Sequence, residues 1–430
     1  MASACSSSDA SLSATPEGSV RAHDARLMAE ARAEAERGRG QTSPNPVVGA
    51  LVVDEGWDAQ RSVADPKILS RGHHILAARD HAEVAALKPL GGRAPGKTLY
   101  VTLEPCNHVG RTGRCTDAIL AAGITRVVCG MRDPNPHVEG GGIARLRALG
   151  IDVVVGVQEA ACQAQNRGFV RAMIEGRPQV VLKAALSIDG RIAPASAAAG
   201  QAGPAPIWLS SAESRAMAHR LRADSDAILV GIGTVLADDP RLTVRLAMDG
   251  RGDAGGRQPL RVVLDSHLRT PLAAKLATPG TLLLTRASTL SERADHAQRL
   301  RERGCDVQAV ESSDADGGLD LRAVLRMLCQ RGVHSLLCEG GGMLHGGLLA
   351  AGLADEVALF IAPLLLGDQG VPLVRGLAVP TLKTAPWLTE VDVQRLGPDL
   401  WLRGLLRPGP YQPTAPSEPT TTALRNPGEG

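Results

Sequence analysis

The sequence predicts an α/β protein with two globular domains, on two observations. Its 430 residues amount to about two or three domains of ordinary size. Short apolar runs alternate with helix-forming segments in two successive series, which is typical of largely parallel sheets covered by helices. We expect one domain over 21–172, a second over 177–407, and disordered tails at 1–20 and 408–430.

The first series begins with a helix-forming stretch rich in Ala, Glu and Arg at 21–37. An apolar run over Val47–Val53 follows and predicts a buried strand. Further strands are predicted at Thr98–Leu103, Arg126–Gly130 and Ile151–Gly156, and helices at 82–88, 116–122 and 142–149. The polar segment 54–71 has no clear period, so we expect a loop there.

The second series has the same alternation. Strands are predicted at Val180–Ala184, Ala227–Gly231, Arg261–Asp265, Thr281–Thr285, Ser335–Glu339, Val357–Ala362 and Leu400–Leu406. Helices are predicted near 211–223, 291–303, 320–331 and 343–351. The stretch 193–206 consists mainly of Ala, Gly, Pro, Ser and Gln, and we expect it to be a loop.

Composition narrows the class of partner. Forty-seven basic and 45 acidic side chains leave a formal charge of +2, which argues against electrostatic binding to nucleic acid or to an anionic membrane. Aromatic residues make up only 2%, so few rings are available to stack on unpaired bases. A small polar substrate is the better expectation.

The sequence also predicts a cytoplasmic location. Eight cysteines are too few for a disulfide scaffold and have no paired spacing, which favours a reducing compartment. The first 20 residues lack the basic and apolar regions of a secretory signal. No apolar run approaches the roughly 20 residues that span a bilayer.

The strongest chemical signal is His81-Ala82-Glu83 followed by Pro105-Cys106 and then Cys115. One imidazole and two thiolates are three ligands for Zn²⁺, and the fourth position stays open for water, as in catalytic zinc sites. Glu83 follows the histidine by two residues and can move protons to and from that water. This is the arrangement of zinc deaminases, with a strand before Pro-Cys. The alternative is an incidental histidine with two core cysteines.

Longer motifs around these residues carry a specific resemblance. They are Ser43-Pro44-Asn45-Pro46-Val47-Val48-Gly49, Thr102-Leu-Glu-Pro-Cys-Asn-His-Val-Gly-Arg-Thr112 and Asp133-Pro134-Asn135-Pro136. Together they resemble the deaminase half of the bifunctional riboflavin biosynthesis deaminase/reductases, over about 21–172. The resemblance implies a cytidine-deaminase-like fold.

By that resemblance, His81, Cys106 and Cys115 bind zinc, Glu83 is the proton donor and Asn45 contacts the pyrimidine. The residue type of Asn45 agrees, because an amide offers a donor and an acceptor to a base edge. An asparagine between prolines is equally typical of a turn. One departure stands beside the site: Gly113-Arg114 replaces the pair of prolines that the family usually has before the last ligand cysteine.

Three segments of the second domain combine glycines with polar residues. They are Lys183–Arg191, Gly231–Arg245 and the glycine-rich turn Cys338–Gly347 that follows a predicted strand. Glycines at a strand-to-helix junction let a phosphate approach backbone N–H groups. A tight packed turn is the better explanation of such glycines taken alone, and no Gly-x-Gly-x-x-Gly follows the first strand of this domain.

In this order, these segments resemble the reductase half of the same family, over about 177–407, with a fold similar to dihydrofolate reductase. The resemblance implies NADPH bound near Ala185, Trp208, Thr234, Asp238, Ser266, Gly341, Gly342, Gly346 and Gly347. It implies substrate bound near Arg222, Leu242, Arg245 and Glu339. It also suggests self-association as a homo-oligomer.

The implied function is two-step. Hydrolysis removes the 2-amino group of 2,5-diamino-6-(5-phosphoribosylamino)pyrimidin-4-one, and NADPH then reduces the ribosyl group, giving 5-amino-6-(5-phosphoribitylamino)uracil. Two alternatives stay open. One is a nucleic-acid-editing deaminase with a C-terminal binding module. The other is a deaminase joined to a reductase-like domain without hydride transfer, because Pro206 replaces a family serine and Ala185 a common glycine.

Overall fold

The protein is described here by a computed structural model. The described residues are 21–58, 63–64, 66–75, 80–108, 113–135, 141–195, 208–245, 257–312 and 318–407. The predicted tails and most of the predicted loop 193–206, including Pro206, lie outside them. Within these ranges, no helix has the length and apolar character needed to cross a membrane.

The first part of the chain alternates helices and strands as predicted. Its elements are α1 (Asp24–Glu36), β1 (Gly49–Asp54), β2 (Trp57–Asp58), β3 (Val63–Ala64), β4 (Lys67–His73), α2 (Ala82–Leu87), β5 (Thr98–Leu103), α3 (Cys115–Ala121), β6 (Arg126–Met131), α4 (Gly142–Ala148), β7 (Asp152–Val155), α5 (Glu159–Gln165) and α6 (Arg167–Glu175). A short 3-10 helix follows α2 at Lys88–Leu90.

The second part continues the alternation. Its elements are β8 (Gln179–Ser187), β9 (Arg191–Ala193), α7 (Ala212–Ala223), β10 (Ala227–Gly231), α8 (Ile232–Asp238), β11 (Leu260–Leu264), β12 (Thr281–Arg286), α9 (Ala287–Glu292), α10 (Ala294–Glu302), β13 (Asp306–Val310), α11 (Leu321–Gln330), β14 (Ser335–Cys338), α12 (Gly342–Ala350), β15 (Glu356–Ala362), β16 (Val371–Pro372), a 3-10 helix (Leu382–Thr384), β17 (Trp387–Leu396) and β18 (Asp399–Arg407).

The strands form two main sheets. The five-stranded sheet has the order β4-β1-β5-β6-β7, with β5, β6 and β7 parallel and β1 antiparallel to both of its neighbours. The nine-stranded sheet has the order β13-β12-β11-β10-β14-β8-β15-β18-β17. Its strands β11, β12 and β13 are parallel, whereas β15, β18 and β17 are antiparallel. The α/β fold class is confirmed.

The prediction of a loop over 54–71 is wrong in two places: the short strands β2 and β3 lie within it and pair with each other, and β4 begins in it. Lys67–His73 forms β4, which pairs with β1 at the edge of the five-stranded sheet. The composition hid this strand because only Ile68 and Leu69 pack against the core, while an edge strand tolerates the exposed Lys67 and Arg71. The strands β9, β13 and β17 were also not predicted.

Two glycines let helices lie close against the five-stranded sheet. A Cβ atom on Gly49 of β1 would lie 2.1 Å from the Ala31 carbonyl oxygen of α1. One on Gly72 of β4 would lie 2.3 Å from the Ala86 nitrogen of α2. Real Cβ atoms do not approach so closely, so these helix positions require glycine on the strands. Gly72 therefore fixes where α2 lies on the sheet.

By Cα proximity, the described residues divide into two compact units. The first comprises the described parts of Met1–Gln179, Ala216–Leu229 and Pro240–Leu337. The second comprises those of Val180–Arg215, Val230–Asp239 and Cys338–Gly430. The first unit thus holds the N-terminal series together with a portion of the second series. The boundary at 172–177 stays a prediction from the sequence.

A buried ion-pair network lies at the start of the first unit. Arg126 Nη2 lies 2.8 Å from Asp24 Oδ2, and the Tyr100 hydroxyl donates to Asp24 Oδ1 at 2.7 Å. Arg126 also pairs with Glu55 at 2.9 Å. His23, Asp24 and Glu55 bring potential metal-ligand atoms within 4.8 Å of one another. Because Arg126 pairs with both carboxylates and Arg21 also pairs with Glu55, this cluster is an ion-pair network.

Breaking this network should destabilise the protein. Asp24→Ala leaves a buried guanidinium short of a partner and is expected to lower the free energy of unfolding by about 3 kcal/mol. Asp152 pairs with the same Arg126 at 3.3 Å but is 45% exposed, so Asp152→Ala should cost less than about 1 kcal/mol. Urea denaturation of both variants checks this, and equal losses would contradict it.

Candidate functional site

Three potential zinc ligands lie where strands end and helices begin. His81 immediately precedes α2, and its backbone is extended (ψ 163°). Cys106 follows β5, and Cys115 is the first residue of α3. The Cys115 N–H donates to Cys106 Sγ at 3.5 Å, and the Thr116 N–H donates to the Cys106 carbonyl at 3.3 Å. These bonds join the two cysteine segments.

The three side chains fit a tetrahedral metal ion. His81 Nδ1 lies 3.2 Å from Cys115 Sγ and 3.5 Å from Cys106 Sγ. Ligands bound to zinc at about 2.0–2.3 Å in a tetrahedron lie roughly 3.5 Å from one another, so the observed spacing matches. The three ligand atoms are all within 4.8 Å of one another. Among the described residues, these three make up the ligand set, so a tetrahedral ion bound to them would keep its fourth position for another ligand.

The electrostatics of these groups suit metal binding and proton transfer. Hydrogen bonds from the Cys115 thiol and from His81 lower the pKa of Cys106 to about 4, and the thiolate is the form that binds metals. Burial raises the pKa of Glu83 to about 7, and its carboxyl group hydrogen-bonds with Cys115. A carboxyl group that titrates near neutrality can both accept and donate a proton.

Glu104 and Gly142 hold the Pro105-Cys106 turn in place. The Glu104 carboxylate accepts from the Ile143 N–H at 3.1 Å and from the Asp133 N–H at 3.3 Å. It thereby links the turn to the start of α4 and to the end of β6. A Cβ on Gly142 would lie 1.8 Å from the Pro105 carbonyl oxygen, so only glycine allows α4 to start there.

His74 connects Asn45 to the potential metal ligands. Asn45 Nδ2 donates to His74 Nε2 at 3.0 Å, and His74 Nδ1 donates to the Asp80 carbonyl at 3.2 Å. Burial lowers the pKa of His74, which favours this neutral form. The His74 ring stands edge-on to the His81 ring, with centroids 5.4 Å apart. Asn45 therefore keeps its carbonyl oxygen and one N–H for another partner.

The second unit contains a buried cation and carboxylate next to the glycine-rich turn. Lys183 of β8 lies 3.4 Å from Glu339 Oε2, and its Nζ lies 5.9 Å from the centre of the Phe360 ring. Only 7% of the Glu339 side chain is exposed. The lysine fixes the orientation of the Glu339 carboxylate, which the sequence predicts to contact substrate.

The glycines after β14 serve different purposes. A Cβ on Gly341 would meet nothing within 4 Å, so the backbone there is open to a ligand. A Cβ on Gly342 would lie 2.6 Å from the Pro372 carbonyl oxygen, and one on Gly346 would lie 1.7 Å from that of Arg375. Gly342 and Gly346 therefore let the segment before Gly376 pack on α12. Gly347 is half-buried on the same helix.

The remaining cofactor candidates of the second unit lie on β8, on α8 and just before α7. Ala185 is on β8 in register with Phe360, while Thr234 and Asp238 are on α8. Trp208 is 63% exposed, and the Arg215 guanidinium lies 5.1 Å from its ring centre. An exposed tryptophan beside an arginine is a surface on which a flat ring can stack.

In the first unit, the substrate candidates Arg222, Leu242 and Arg245 lie close together. Arg222 Nη1 donates to the Thr243 carbonyl at 3.0 Å, and the Arg245 N–H donates to His219 Nδ1 at 3.2 Å. Leu242 is buried with a positive φ of 51°, a strained conformation that often marks functional segments. The structure thus holds the two arginines on adjoining segments.

Ser266, the cofactor candidate of the first unit, follows β11 in a turn held from three sides. Its carbonyl oxygen accepts from Thr289 Oγ1 at 2.9 Å, Arg286 Nε at 3.1 Å and Thr285 Oγ1 at 3.2 Å. Arg286 Nη2 also hydrogen-bonds to His267 Nδ1 at 2.8 Å. Arg286 and His267 therefore lie beside Ser266 at the end of β11.

Sequence reasoning did not assign His74, Glu104 or Lys183. His74 is the residue that joins Asn45 to the potential metal ligands, and its signal was hidden because β4 was not predicted. Lys183 and Glu104 stand inside the quoted motifs, but the ion pair and the backbone hydrogen bonds that explain them join residues far apart in the chain.

Two family models match the chain. The cytidine and deoxycytidylate deaminase zinc-binding region matches residues 21–131, and the RibD C-terminal domain matches residues 178–402. The chain is 39% identical to the riboflavin biosynthesis protein RibD of Escherichia coli, over 88% of this chain and 98% of that protein. It is 37% identical to the Aquifex aeolicus RibD over 89% and 98%.

Solved structures give the same result. Acinetobacter baumannii RibD superimposes with a TM-score of 0.77 at 33% identity, over 90% of this chain and 99% of that one. A Thermotoga maritima diaminohydroxyphosphoribosylaminopyrimidine deaminase/5-amino-6-(5-phosphoribosylamino)uracil reductase superimposes with a TM-score of 0.71 at 31% identity, over 90% and 98%. The chain belongs to the RibD family of riboflavin biosynthesis enzymes, with a cytidine-deaminase-like domain followed by a RibD reductase domain.

Proposed function

We propose that the deaminase centre is the group His81, Cys106, Cys115 and Glu83, and that it removes the 2-amino group of 2,5-diamino-6-(5-phosphoribosylamino)pyrimidin-4-one. The observation that carries this proposal is the convergence of three ligand atoms at tetrahedral spacing beside a buried carboxyl group. Zinc held there would lower the pKa of a water molecule to about 7. The substrate is the one named for the Thermotoga maritima relative.

Protons move through Glu83 in this scheme. The carboxylate takes a proton from the attacking water, and the carboxylic acid returns it to the departing amino group, which leaves as ammonia. Its hydrogen bond with Cys115 supports this role, because the carboxyl group then lies beside a proposed metal ligand. Asn45 binds the pyrimidine edge with its remaining amide hydrogen and carbonyl oxygen, while His74 holds the amide in place.

The second step belongs to the reductase domain, for which the family implies a nicotinamide coenzyme. We assign the coenzyme to Ala185, Trp208, Thr234, Asp238, Ser266, Gly341, Gly342, Gly346 and Gly347. Gly341 supports this assignment, because its backbone is open to a ligand. Gly342 and Gly346 contribute through the packing of α12. When bound, the coenzyme would supply a hydride to the anomeric carbon of the open-chain imine, and a proton from water at the imine nitrogen would complete the ribitylamino product.

The substrate is held by Arg222, Leu242, Arg245 and Glu339 in this proposal. Arginines suit its phosphate, because a guanidinium donates two parallel hydrogen bonds to phosphate oxygens. Lys183 neutralises and orients Glu339, whose carboxylate can then accept hydrogen bonds from sugar hydroxyls.

The coenzyme is NADPH in this proposal. Its 2′-phosphate distinguishes it from NADH, and a phosphate requires cationic donors. The Arg286 guanidinium supplies such a donor beside Ser266, whose carbonyl oxygen it contacts at 3.1 Å. We further propose self-association, since the edge strand β17 exposes Val391 and Val393. We also propose a reducing, cytoplasmic location, since all seven described cysteines are free.

Removing one metal ligand should remove zinc. Cys115→Ala is expected to lower bound zinc from about one ion per chain to near zero, because two ligands do not hold the ion. Cys129 is a matched control: it is buried, and burial raises the pKa of its thiol, so Cys129→Ala should retain zinc. Elemental analysis of the purified proteins checks this, and zinc retained by Cys115→Ala would contradict the ligand assignment.

Glu83→Gln should abolish deamination but leave the metal site intact. Without a group that carries the proton, kcat for ammonia release should fall by about 100-fold or more. The variant should keep its zinc and should still reduce the deaminated intermediate. Ammonia release at the wild-type rate would show that Glu83 is not the proton carrier.

Arg286→Gln should weaken NADPH binding selectively. Loss of a charge-assisted hydrogen bond is expected to raise KM for NADPH about tenfold, whereas KM for NADH should stay the same. Arg301 is a matched control, since its guanidinium donates to the Val307 carbonyl at 2.9 Å, and Arg301→Gln should change neither value. Equal effects of Arg286→Gln on both coenzymes would contradict a phosphate contact.

A further inference from the structure

The turn that carries Asn45 is clamped at both ends. Asn166, which is buried between α5 and α6, accepts from the Val47 N–H at 2.8 Å and donates to the Val47 carbonyl at 2.9 Å. At the other end, Ser43 Oγ donates to the Gly332 carbonyl at 3.4 Å. Gly332 lies in the part of the chain that matches the RibD reductase domain.

His334 also links that part of the chain to the Asn45 turn. Its imidazole hydrogen-bonds to the Pro44 carbonyl, directly before Asn45. Its ring lies 6.0 Å from the Phe169 ring at an angle of 57°. Pro44 in turn packs on Gly332, where a Cβ would lie 3.4 Å from the proline Cβ. All of these residues lie within the first compact unit.

The backbone of His334 is itself fixed. Its N–H donates to Asp226 Oδ2 at 2.8 Å, and the Ser335 N–H donates to the same oxygen at 2.9 Å. Its carbonyl accepts from the Gln179 N–H at 2.9 Å. A Cβ on Gly168 would lie 2.7 Å from that carbonyl oxygen, so α6 approaches as closely as glycine allows. These contacts fix the backbone of His334, from which the imidazole extends to Pro44.

We infer that His334 is a positioning residue of the deaminase site: by holding the Pro44 carbonyl it aims the Asn45 amide at the pyrimidine. A residue of the reductase part of the chain thus sets substrate affinity in the deaminase. The inference rests on the proposed contact between Asn45 and the pyrimidine. It gives a physical reason for the two catalytic domains to share one chain, since the deaminase site is completed by a loop of the second domain.

The test separates the hydrogen bond from the packing. His334→Phe keeps a ring against Phe169 but removes the donor, whereas His334→Gln keeps a donor without the ring. With the full-length zinc enzyme, His334→Phe should raise the deaminase KM about tenfold and leave kcat within twofold. His334→Gln should restore most of the affinity. Both variants should keep wild-type zinc content and reductase activity on the deaminated intermediate.

A second histidine provides the matched control. His296 Nε2 donates to the Thr270 carbonyl at 2.9 Å, away from the Asn45 turn. His296→Phe should therefore leave the deaminase KM unchanged. An unchanged KM in His334→Phe would overturn the inference, and so would a rise accompanied by loss of zinc and of reductase activity, because that pattern is a folding defect.

A double-mutant cycle tests whether His334 acts through Asn45. If it does, His334→Phe should raise KM less than twofold further once Asn45→Ala is present, since residues that act through one another are not additive. Fully multiplicative effects would contradict the inference. If Asn45→Ala alone leaves KM unchanged, the pyrimidine contact itself is wrong. If it raises KM and His334→Phe does not, only the inference about His334 fails.

Discussion

In the proposed deaminase centre, the ligand geometry depends on one constraint: the starts of α2 and α3 must meet the carboxyl end of β5. His81, Cys115 and Cys106 occupy these three ends, and their donor atoms come within 4.8 Å of one another. Close backbone packing enforces the constraint, because Gly72 lets α2 lie on β4 and Gly142 lets α4 touch the Pro105 carbonyl. A side chain at either glycine would move a ligand-bearing segment.

Neighbouring side chains also orient the residues that are proposed to bind substrate. Asn45 lies on a turn with no regular secondary structure, yet Asn166 fixes its far end and His74 fixes its amide. In the second unit, the pair formed by Lys183 and Glu339 gives the reductase an oriented carboxylate. In both domains, a packed partner therefore orients the group that is proposed to contact substrate, so that binding would need little reorganisation.

The sequence predicted the α/β fold and most strands, because these leave local signals. The three residues that it predicted as zinc ligands lie together in the structure, and their binding of zinc stays a prediction. Apolar runs mark buried strands such as β5, and His-x-Glu followed by Pro-Cys is a short motif with a known geometry. It could not predict β4, whose composition is that of an exposed edge. Nor could it predict His74, Glu104 or His334, whose roles come from contacts between distant segments. Gly342 and Gly346 resemble phosphate-binding glycines in sequence, but their Cα atoms face the backbone of a neighbouring segment.

The proposed function requires one chain to perform deamination first and reduction second. The most direct test supplies the purified zinc enzyme with 2,5-diamino-6-(5-phosphoribosylamino)pyrimidin-4-one and NADPH, and follows ammonia and NADPH absorbance together. We expect ammonia release to precede NADPH consumption and one NADPH to be oxidised for each ammonia released. Ammonia release without any NADPH oxidation would contradict it and would show a deaminase joined to an inactive reductase domain.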